Sequence, residues 1–261
     1  MCQECGCAVT TAAVTISTTT LDHHHPDHHD HDHDTLAPAG LVGAILRQND
    51  LDAAHNREHL RARGILAINL MSSPGSGKTS LLEATIEALG GRWRIAVIEG
   101  DLETENDAER IRAKGVPAVQ ITTGQTCHLD ARMLHDALHR IDLDAIDLLF
   151  IENVGNLVCP AGFDLGQDAN VVLLAVTEGD DKPAKYPVMF RTADLVLLSK
   201  ADLLPYLDDF SPDTARAHVR ALANPVDVLE ISARRPQTLA PWISWLEQRL
   251  VAMRAGVPAQ A

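Results

Sequence analysis

Positive charge, long apolar runs and an even set of cysteines are what this sequence lacks. Its 261 residues carry 22 Lys plus Arg against 36 Asp plus Glu, a net charge of −14 at pH 7. A surface of that sign repels phosphate, which argues against general nucleic-acid binding and against docking on anionic membranes. The longest unbroken apolar run, 171–176, is far short of the roughly 20 residues that a membrane helix needs. No basic stretch followed by an apolar one opens the chain, so no secretory leader is expected and a cytoplasmic setting is. Cysteines number only five, and three of them are Cys2, Cys5 and Cys7. An odd, clustered set is not a disulfide framework; it suggests reduced thiols available to metal.

What is present is ordinary apart from one amino acid. Apolar residues make up 46% and charged residues 22%, as in a soluble globular protein with length enough for a large α/β core. Histidine is the exception, with thirteen in all. Seven of them, His23, His24, His25, His28, His29, His31 and His33, crowd into residues 22–34.

Composition separates three regions. Residues 1–37 hold the Cys cluster, a Thr-rich stretch and the His/Asp tract, with too little apolar surface to offset ordering entropy, and are expected to be a disordered metal-binding tail. Residues 38–63 read as a helical lead-in, with Leu41, Ile45, Leu46 and Leu60 as a broken apolar stripe. From 64 to 261, short apolar runs alternate with helical segments, the pattern of a doubly wound, mostly parallel sheet. Strands are predicted over 65–70, 94–98, 118–121, 148–151, 171–176, 195–198 and 228–231, most of them continuously apolar, as strands covered on both faces are. Helices are predicted over 78–89, 104–114, 128–140 and 212–222, the last with Ser211 as N-cap and Pro212 at its first position. Leu239, Trp242, Ile243, Leu246, Leu250 and Met253 form a core-facing stripe on a final helix.

Ser72-Ser73-Pro74-Gly75-Ser76-Gly77-Lys78-Thr79 lies between a predicted strand and a predicted helix, the context of a phosphate-binding loop in a P-loop NTPase. Gly75, Ser76 and Gly77 would turn backbone N–H groups toward phosphate, Lys78 would reach the β/γ oxygens, the Thr79 hydroxyl would face Mg²⁺, and Ser80 would complete the nucleotide-binding loop. Ser72 stands where the usual pattern has its first glycine. Ser199-Lys200-Ala201-Asp202 ends a strand and is similar to the guanine reader of GTPases, with Ser199 in place of the usual Asn. There a carboxylate, here Asp202, accepts from guanine donors that adenine lacks. Ser232-Ala233, also past a strand, resembles the loop that contacts guanine O6. Together these favour GTP. Between them, Glu99-Gly100-Asp101 ends the second strand, with Asp101 the better candidate for a water-mediated Mg²⁺ contact, and Glu152-Asn153-Val154-Gly155 resembles the switch segment that senses the γ-phosphate.

Three sets of metal ligands stand out. Cys2, Cys5 and Cys7 concentrate soft thiolates suited to Ni²⁺ or Zn²⁺. The internal tract 22–34, broken by Asp and Pro, is read as native and able to buffer several ions weakly. Cys127-His128 and Cys159 follow the third and fourth strands, on the rim where ligands bind in parallel sheets. Two copies facing across that rim could offer four thiolates to one ion. His55, His59, His135, His139 and His218 look scattered and read as surface or packing residues.

With these residues in view the chain resembles the HypB family, GTPases that assist nickel insertion into nickel–iron hydrogenase. The resemblance covers residues 1–7 and about 38–261. It rests on Met-Cys-Gln-Glu-Cys-Gly-Cys, Ser-Ser-Pro-Gly-Ser-Gly-Lys-Thr, Ile-Glu-Gly-Asp, Cys-His-Leu-Asp, Glu-Asn-Val-Gly-Asn-Leu-Val-Cys-Pro and Glu-Gly-Asp-Asp-Lys-Pro. It implies a tight nickel site at Cys2, Cys5 and Cys7, and a second metal site, for nickel or zinc, at Cys127, His128 and Cys159. It also implies GTP-dependent homodimerisation with Lys182 near the interface, nickel storage by the His tract, and two partners: a HypA-type zinc accessory protein and the hydrogenase large-subunit precursor. GTP hydrolysis, with Lys78, Thr79, Asp101 and Glu152 around the phosphates, is expected to be slow, since no Gln or Arg finger is identifiable. Three other readings stay open: a urease-type nickel GTPase, a nickel-storage protein with a vestigial nucleotide site, and a P-loop small-molecule kinase. The N-terminal cysteines weigh against the first. The absence of an Arg cluster beyond Arg234-Arg235 weighs against the last.

Overall fold

The computed structural model describes residues 38–101 and 106–255, with residues 38–42 as backbone alone. By its contacts the chain divides into residues 1–44 and 45–261. Of the first unit only the opening of a helix is described; the sheet and the side chains packed on it belong to the second. The predicted tail, with Cys2, Cys5, Cys7 and the tract 22–34, lies outside the described residues.

Seven strands form one sheet: β1 (Leu66–Ser72), β2 (Ile95–Asp101), β3 (Ala118–Thr122), β4 (Leu148–Glu152), β5 (Ala169–Ala175), β6 (Leu195–Ser199) and β7 (Val228–Glu230). Their spatial order is β3-β2-β4-β1-β5-β6-β7. Every pairing is parallel. The inner strands β1, β4 and β6 are buried at every position, whereas the edges β3 and β7 keep half-exposed residues. This is why the inner strands read as unbroken apolar runs rather than as alternation.

Side chains of period two split the core into two layers. Leu66, Ile68, Leu70, Val97, Phe150, Leu173 and Leu197 meet α2 (Lys78–Leu89), α3 (Asn106–Arg112) and α8 (Ala240–Arg254) through Leu81, Leu82, Ile111, Trp242 and Leu246. Each large side chain so buried contributes about 1.5–3 kcal/mol. On the opposite face, Ala67, Ile98, Leu149 and Ile151 meet α1 (Pro38–Arg61) and α4 (Ala131–Leu138) through Leu60, Leu134 and Leu138. Farther along that face, Val172, Leu174, Val196 and Leu198 meet α6 (Pro187–Arg191) and α7 (Pro212–Ala221) through Met189, Phe190 and Val219, with α5 (Lys182–Lys185) just before α6. The doubly wound parallel sheet is the fold expected from the sequence.

Two predicted elements differ. The helix expected over 128–140 begins only at Ala131, because the Asp130 carboxylate caps it by accepting from the Met133 N–H at 2.7 Å. Residues 127–130 are therefore loop. The lead-in helix forms, but of its expected stripe Leu60 is buried while Ile45 and Leu46 are exposed. Leu60 and Ala53 hold it together with two buried amides. Asn49 donates to the Asp164 carbonyl at 2.8 Å and accepts from the Ala131 N–H at 2.9 Å. Asn56 donates to the carbonyls of Ala131 and Leu165 at 2.8 and 3.1 Å. Periodicity counts only apolar residues, so a helix docked through amides escapes it. Gly166 completes the contact. At φ +91°, and with an added Cβ only 2.5 Å from the Ala53 carbonyl oxygen, this position admits glycine alone.

Candidate functional site

The carboxyl ends of the strands carry the chemistry. Leaving β1, the chain turns at Gly75 (φ 75°) and Gly77 (φ 96°), both open on their Cβ side, and enters α2 at Lys78. Positive φ at both glycines bends the loop onto a helix N-terminus, the setting in which backbone amides cradle phosphate. Lys78 is buried, and its Nζ donates to Ser72 Oγ at 3.1 Å. Ser72 thus has a positive role where the usual glycine has none. Thr79 Oγ1 donates to Glu152 Oε1 at 3.0 Å. Ser80 Oγ accepts from Arg110 at 3.3 Å.

Behind Thr79 lies an acidic cluster formed by Glu99, Asp107 and Glu152, whose oxygens lie within 4.8 Å of one another. One oxygen each of Glu99 and Glu152 is buried with no hydrogen-bond partner. Burial, and then the Glu152 charge, push the Glu99 carboxyl well above the carboxylate range. Burial also raises Glu152, against the pull of Lys78. Two desolvated carboxyls with orphaned oxygens fit a divalent cation, which would satisfy both at once. The cluster takes Glu99, two residues before Asp101 on the same face of β2; Asp101, the acid expected from the sequence to contact Mg²⁺ through water, ends the strand. The parallel register of β2 and β4 sets Glu99 beside Glu152.

The proposed base reader is tied to the phosphate loop. Ser199 Oγ donates to the Ser76 carbonyl at 2.7 Å, and Lys200 Nζ donates to the Gly75 carbonyl at 2.7 Å from a left-handed backbone position (φ 58°). Ser199, which departs from the usual Asn, is buried and bridges to the loop. Asp202 Oδ1 accepts from Ser232 Oγ at 2.6 Å, which brings the Ser199–Asp202 and Ser232-Ala233 segments together.

Cys127, His128 and Cys159 also converge, with ligand atoms within 4.8 Å of one another and all three half-buried. Cys127 Sγ is 3.9 Å from His128 Nδ1. His128 stacks on Phe163 at 3.9 Å between ring centroids, and burial lowers its pKa, which favours the neutral imidazole that metals bind. Two thiols and an imidazole leave an open fourth position in a tetrahedral set.

Segment 152–159 joins this cluster to the phosphate loop. Glu152 meets Thr79. Asn153 accepts from the Leu129 N–H at 3.2 Å, one residue beyond His128, and donates to Asn69 in β1 at 3.2 Å. Gly155 lies so close to the loop that a Cβ there would sit 2.8 Å from Pro74 Cα. Asn156 accepts from the N–H groups of Val158 and Cys159 at 2.7 and 3.3 Å.

Sequence reasoning gave Asn153, Asn156 and Glu178 no role. Glu178, past β5, takes hydrogen bonds from the hydroxyls of Ser73 and Ser76, the latter at 2.6 Å, so a carboxylate already engages the loop's hydroxyls. Only the quoted Glu-Gly-Asp-Asp-Lys-Pro segment hinted at it. A further correction concerns the histidines read as scattered: His55, His59, His135 and His139 lie side by side across α1 and α4.

Residues 66–227 match the family model described as the CobW/HypB/UreG nucleotide-binding domain. The hydrogenase maturation factor HypB of Azotobacter vinelandii is 55% identical over 216 residues, covering 82% of this chain and 71% of that protein. The chain belongs to the HypB family. The Hydrogenase/urease maturation factor HypB of Helicobacter hepaticus is 47% identical over 213 residues, covering 80% of this chain and 87% of its own. The crystal structure of HypB from Helicobacter pylori in complex with nickel superposes with a TM-score of 0.76 at 40% identity, covering 82% of this chain and 99% of that one. HypB from Archaeoglobus fulgidus gives 0.73 at 40% identity, covering 78% and 100%. Like the resemblance read from its motifs, these place the chain among hydrogenase maturation factors. Among the described residues no helix is long and apolar enough to cross a membrane.

Proposed function

We propose that this HypB-family chain is a GTP-hydrolysing nickel carrier for hydrogenase maturation, in which nucleotide state controls metal held at Cys127, His128 and Cys159. The observation that carries the reading is segment 152–159, which touches the phosphate loop at Thr79 and Pro74 and the metal cluster at Leu129 and Cys159. A nucleotide that moves this segment changes the ligand geometry without any long-range wire.

In this mechanism Lys78 and the amides of 75–79 hold the β/γ-phosphates, and Asp202 with Ser232 selects guanine. Thr79, Glu152 and Glu99, with Asp101 through water, would hold Mg²⁺, which would neutralise the phosphate charge. The N–H of Gly155 reads the γ-phosphate. GTP orders the strand-end segments and pairs two chains across the rim; hydrolysis reverses this and releases nickel toward the next carrier. Zinc is a second ion for the same thiolate–imidazole set. The tail cysteines hold nickel tightly, the His tract stores it, and a HypA-type zinc protein and the hydrogenase large-subunit precursor are the partners.

The test is nickel and zinc affinity of the full chain with GDP and with a non-hydrolysable GTP analogue, followed by peptide-resolved alkylation of Cys127 and Cys159. Linkage requires that metal shift GTP-versus-GDP affinity by the same factor that nucleotide shifts metal affinity, a coupling of about 1–3 kcal/mol. Equal metal affinity in both nucleotide states would leave two sites that merely share an edge.

A further inference from the structure

We propose that His55, His59, His135 and His139 form a binding site for a divalent transition-metal ion, separate from the Cys127, His128 and Cys159 set. α1 contributes His55 and His59, and α4 with its C-cap residue contributes His135 and His139, each pair at i, i+4 spacing and so on one helix face. Contacts of Asn49 and Asn56 with Ala131 dock the helices side by side, and the imidazoles line up across the seam. Ring centroids are 4.6 Å apart for His135 and His139, 5.1 Å for His55 and His135, 6.1 Å for His55 and His59, and 6.4 Å for His59 and His139. Imidazoles bound to one ion at about 2.1 Å place their centroids about 4.5–5.5 Å apart in tetrahedral or square geometry. Two of the four separations are already within that range. The other two close by side-chain rotation of His59, whose Nδ1 is buried without a hydrogen-bond partner.

The proton positions favour a ligand as well. Both amide hydrogens of Asn56 are directed to the Ala131 and Leu165 carbonyls, so its Oδ1 is an acceptor. His135 Nδ1, 3.1 Å from that oxygen, therefore carries the proton, and its Nε2 lone pair faces the cluster. An acceptor that fixes the tautomer from behind, the part Asn56 Oδ1 plays here, is the usual support of a metal-binding histidine. His139 Nε2 lies 3.1 Å from His135 Nε2 and donates to it when no ion is bound. On binding, the His139 proton moves to Nδ1 and Nε2 takes the ion, with no net change of charge on the ring. Burial and the neighbouring imidazoles lower the pKa of both His59 and His135, so nitrogen is offered without a competing proton at neutral pH. Arg63 and Arg132 add positive charge nearby, offset in part by Asp136. The site thus attracts an ion through nitrogen affinity rather than net charge, which selects Ni²⁺, Zn²⁺ or Cu²⁺ over Mg²⁺.

The experiment labels the full chain with diethyl pyrocarbonate and quantifies each histidine by peptide mass, during titration with Ni²⁺, with Zn²⁺ or with Mg²⁺ alone. His55, His59, His135 and His139 should be protected together with one midpoint in Ni²⁺ or Zn²⁺, about tenfold at an ion concentration ten times Kd, and not in Mg²⁺. In the double variant His55→Gln/His139→Gln, at two exposed positions, the protection of His59 and His135 should be lost while that of His128 is kept. Unprotected His135 and His139 in wild type, at an ion concentration that fully protects residues 22–34, would overturn the site. So would protection of His135 that survives in the double variant.

Discussion

Gly155→Ala offers a direct test of how the two rim sites communicate. The added Cβ would lie 2.8 Å from Pro74 Cα and 2.9 Å from its nitrogen. Carbon contacts relax at about 3.5–4.0 Å, so one side must move by about 0.7–1.2 Å. The phosphate loop is held by Ser199 and Lys200 through hydrogen bonds of 2.7 Å each to the Ser76 and Gly75 carbonyls. Segment 153–159 is therefore the side that yields, and it carries both Asn153 and Asn156. Overpacking of this kind costs about 1–3 kcal/mol, and where that strain opposes the bound state, nucleotide affinity should fall roughly 5- to 150-fold. The same displacement pulls on the Leu129 and Cys159 amides, so protection of Cys127 and Cys159 from alkylation by bound nickel should weaken in parallel. Calorimetric titration with GDP and with a GTP analogue gives the first quantity, and peptide-resolved alkylation gives the second. Gly162→Ala is the control, since nothing lies within 4 Å of its Cβ although it is three residues from Cys159. If Gly155→Ala matched wild type within about twofold on both measures, the physical link through segment 152–159 would be refuted.

Other expectations are as specific. Lys78→Ala should abolish GTP hydrolysis with the fold intact by circular dichroism; turnover within about twofold of wild type would remove Lys78 from the phosphate site. Asp202→Asn should shift preference from GTP toward XTP, because an amide can donate to the xanthine O2; unchanged affinities for both would mean that Asp202 does not read the base. Deleting residues 22–34 should lower the nickel ions bound per chain and leave GTP turnover unchanged; an unchanged nickel count at saturation would reduce the tract to a linker. Asp147 is held at about 2 chiefly by its hydrogen bonds to Arg94, with Arg254 also 2.6 Å away. A depressed carboxylate stabilises the fold above the ordinary value near 4 and loses that contribution as pH falls toward 2, so Asp147→Asn should cost about 1–2 kcal/mol at pH 7 and close to nothing at pH 2. Chemical denaturation at both pH values measures it, and an equal cost at both would assign the effect to packing.

Several features were legible in the sequence because their causes are local. The turn from β1 into α2 needs only glycines at two positive φ angles and a helix start, all written within eight residues. Ser211 caps α7 as read, accepting from the Thr214 N–H at 3.2 Å with Pro212 at the first position. Trp242, Ile243, Leu246 and Leu250 are buried at the spacing that marked them. Continuous apolar runs sufficed for the inner strands, since burial on both faces leaves no alternation to misread.

What the sequence could not determine is which polar groups meet across elements, because hydrogen-bond partners far apart in the chain leave no periodic trace. Asn49 and Asn56 hold α1 through carbonyls 109 or more residues away, at Asp164 and Leu165, where an apolar stripe had been expected. The parallel register of β2 and β4, which sets Glu99 beside Glu152, decides that these two carboxyls share one cluster. Asp130 ends the loop of Cys127 and His128 by capping α4, which a helical pattern alone would have overrun. Four histidines separated by up to 84 positions come together because two docked helices place one face of each against the other. Local chemistry is set by neighbours in the chain; a site built from several strand ends and helices exists only once the sheet order and the docking of its helices bring those groups within reach.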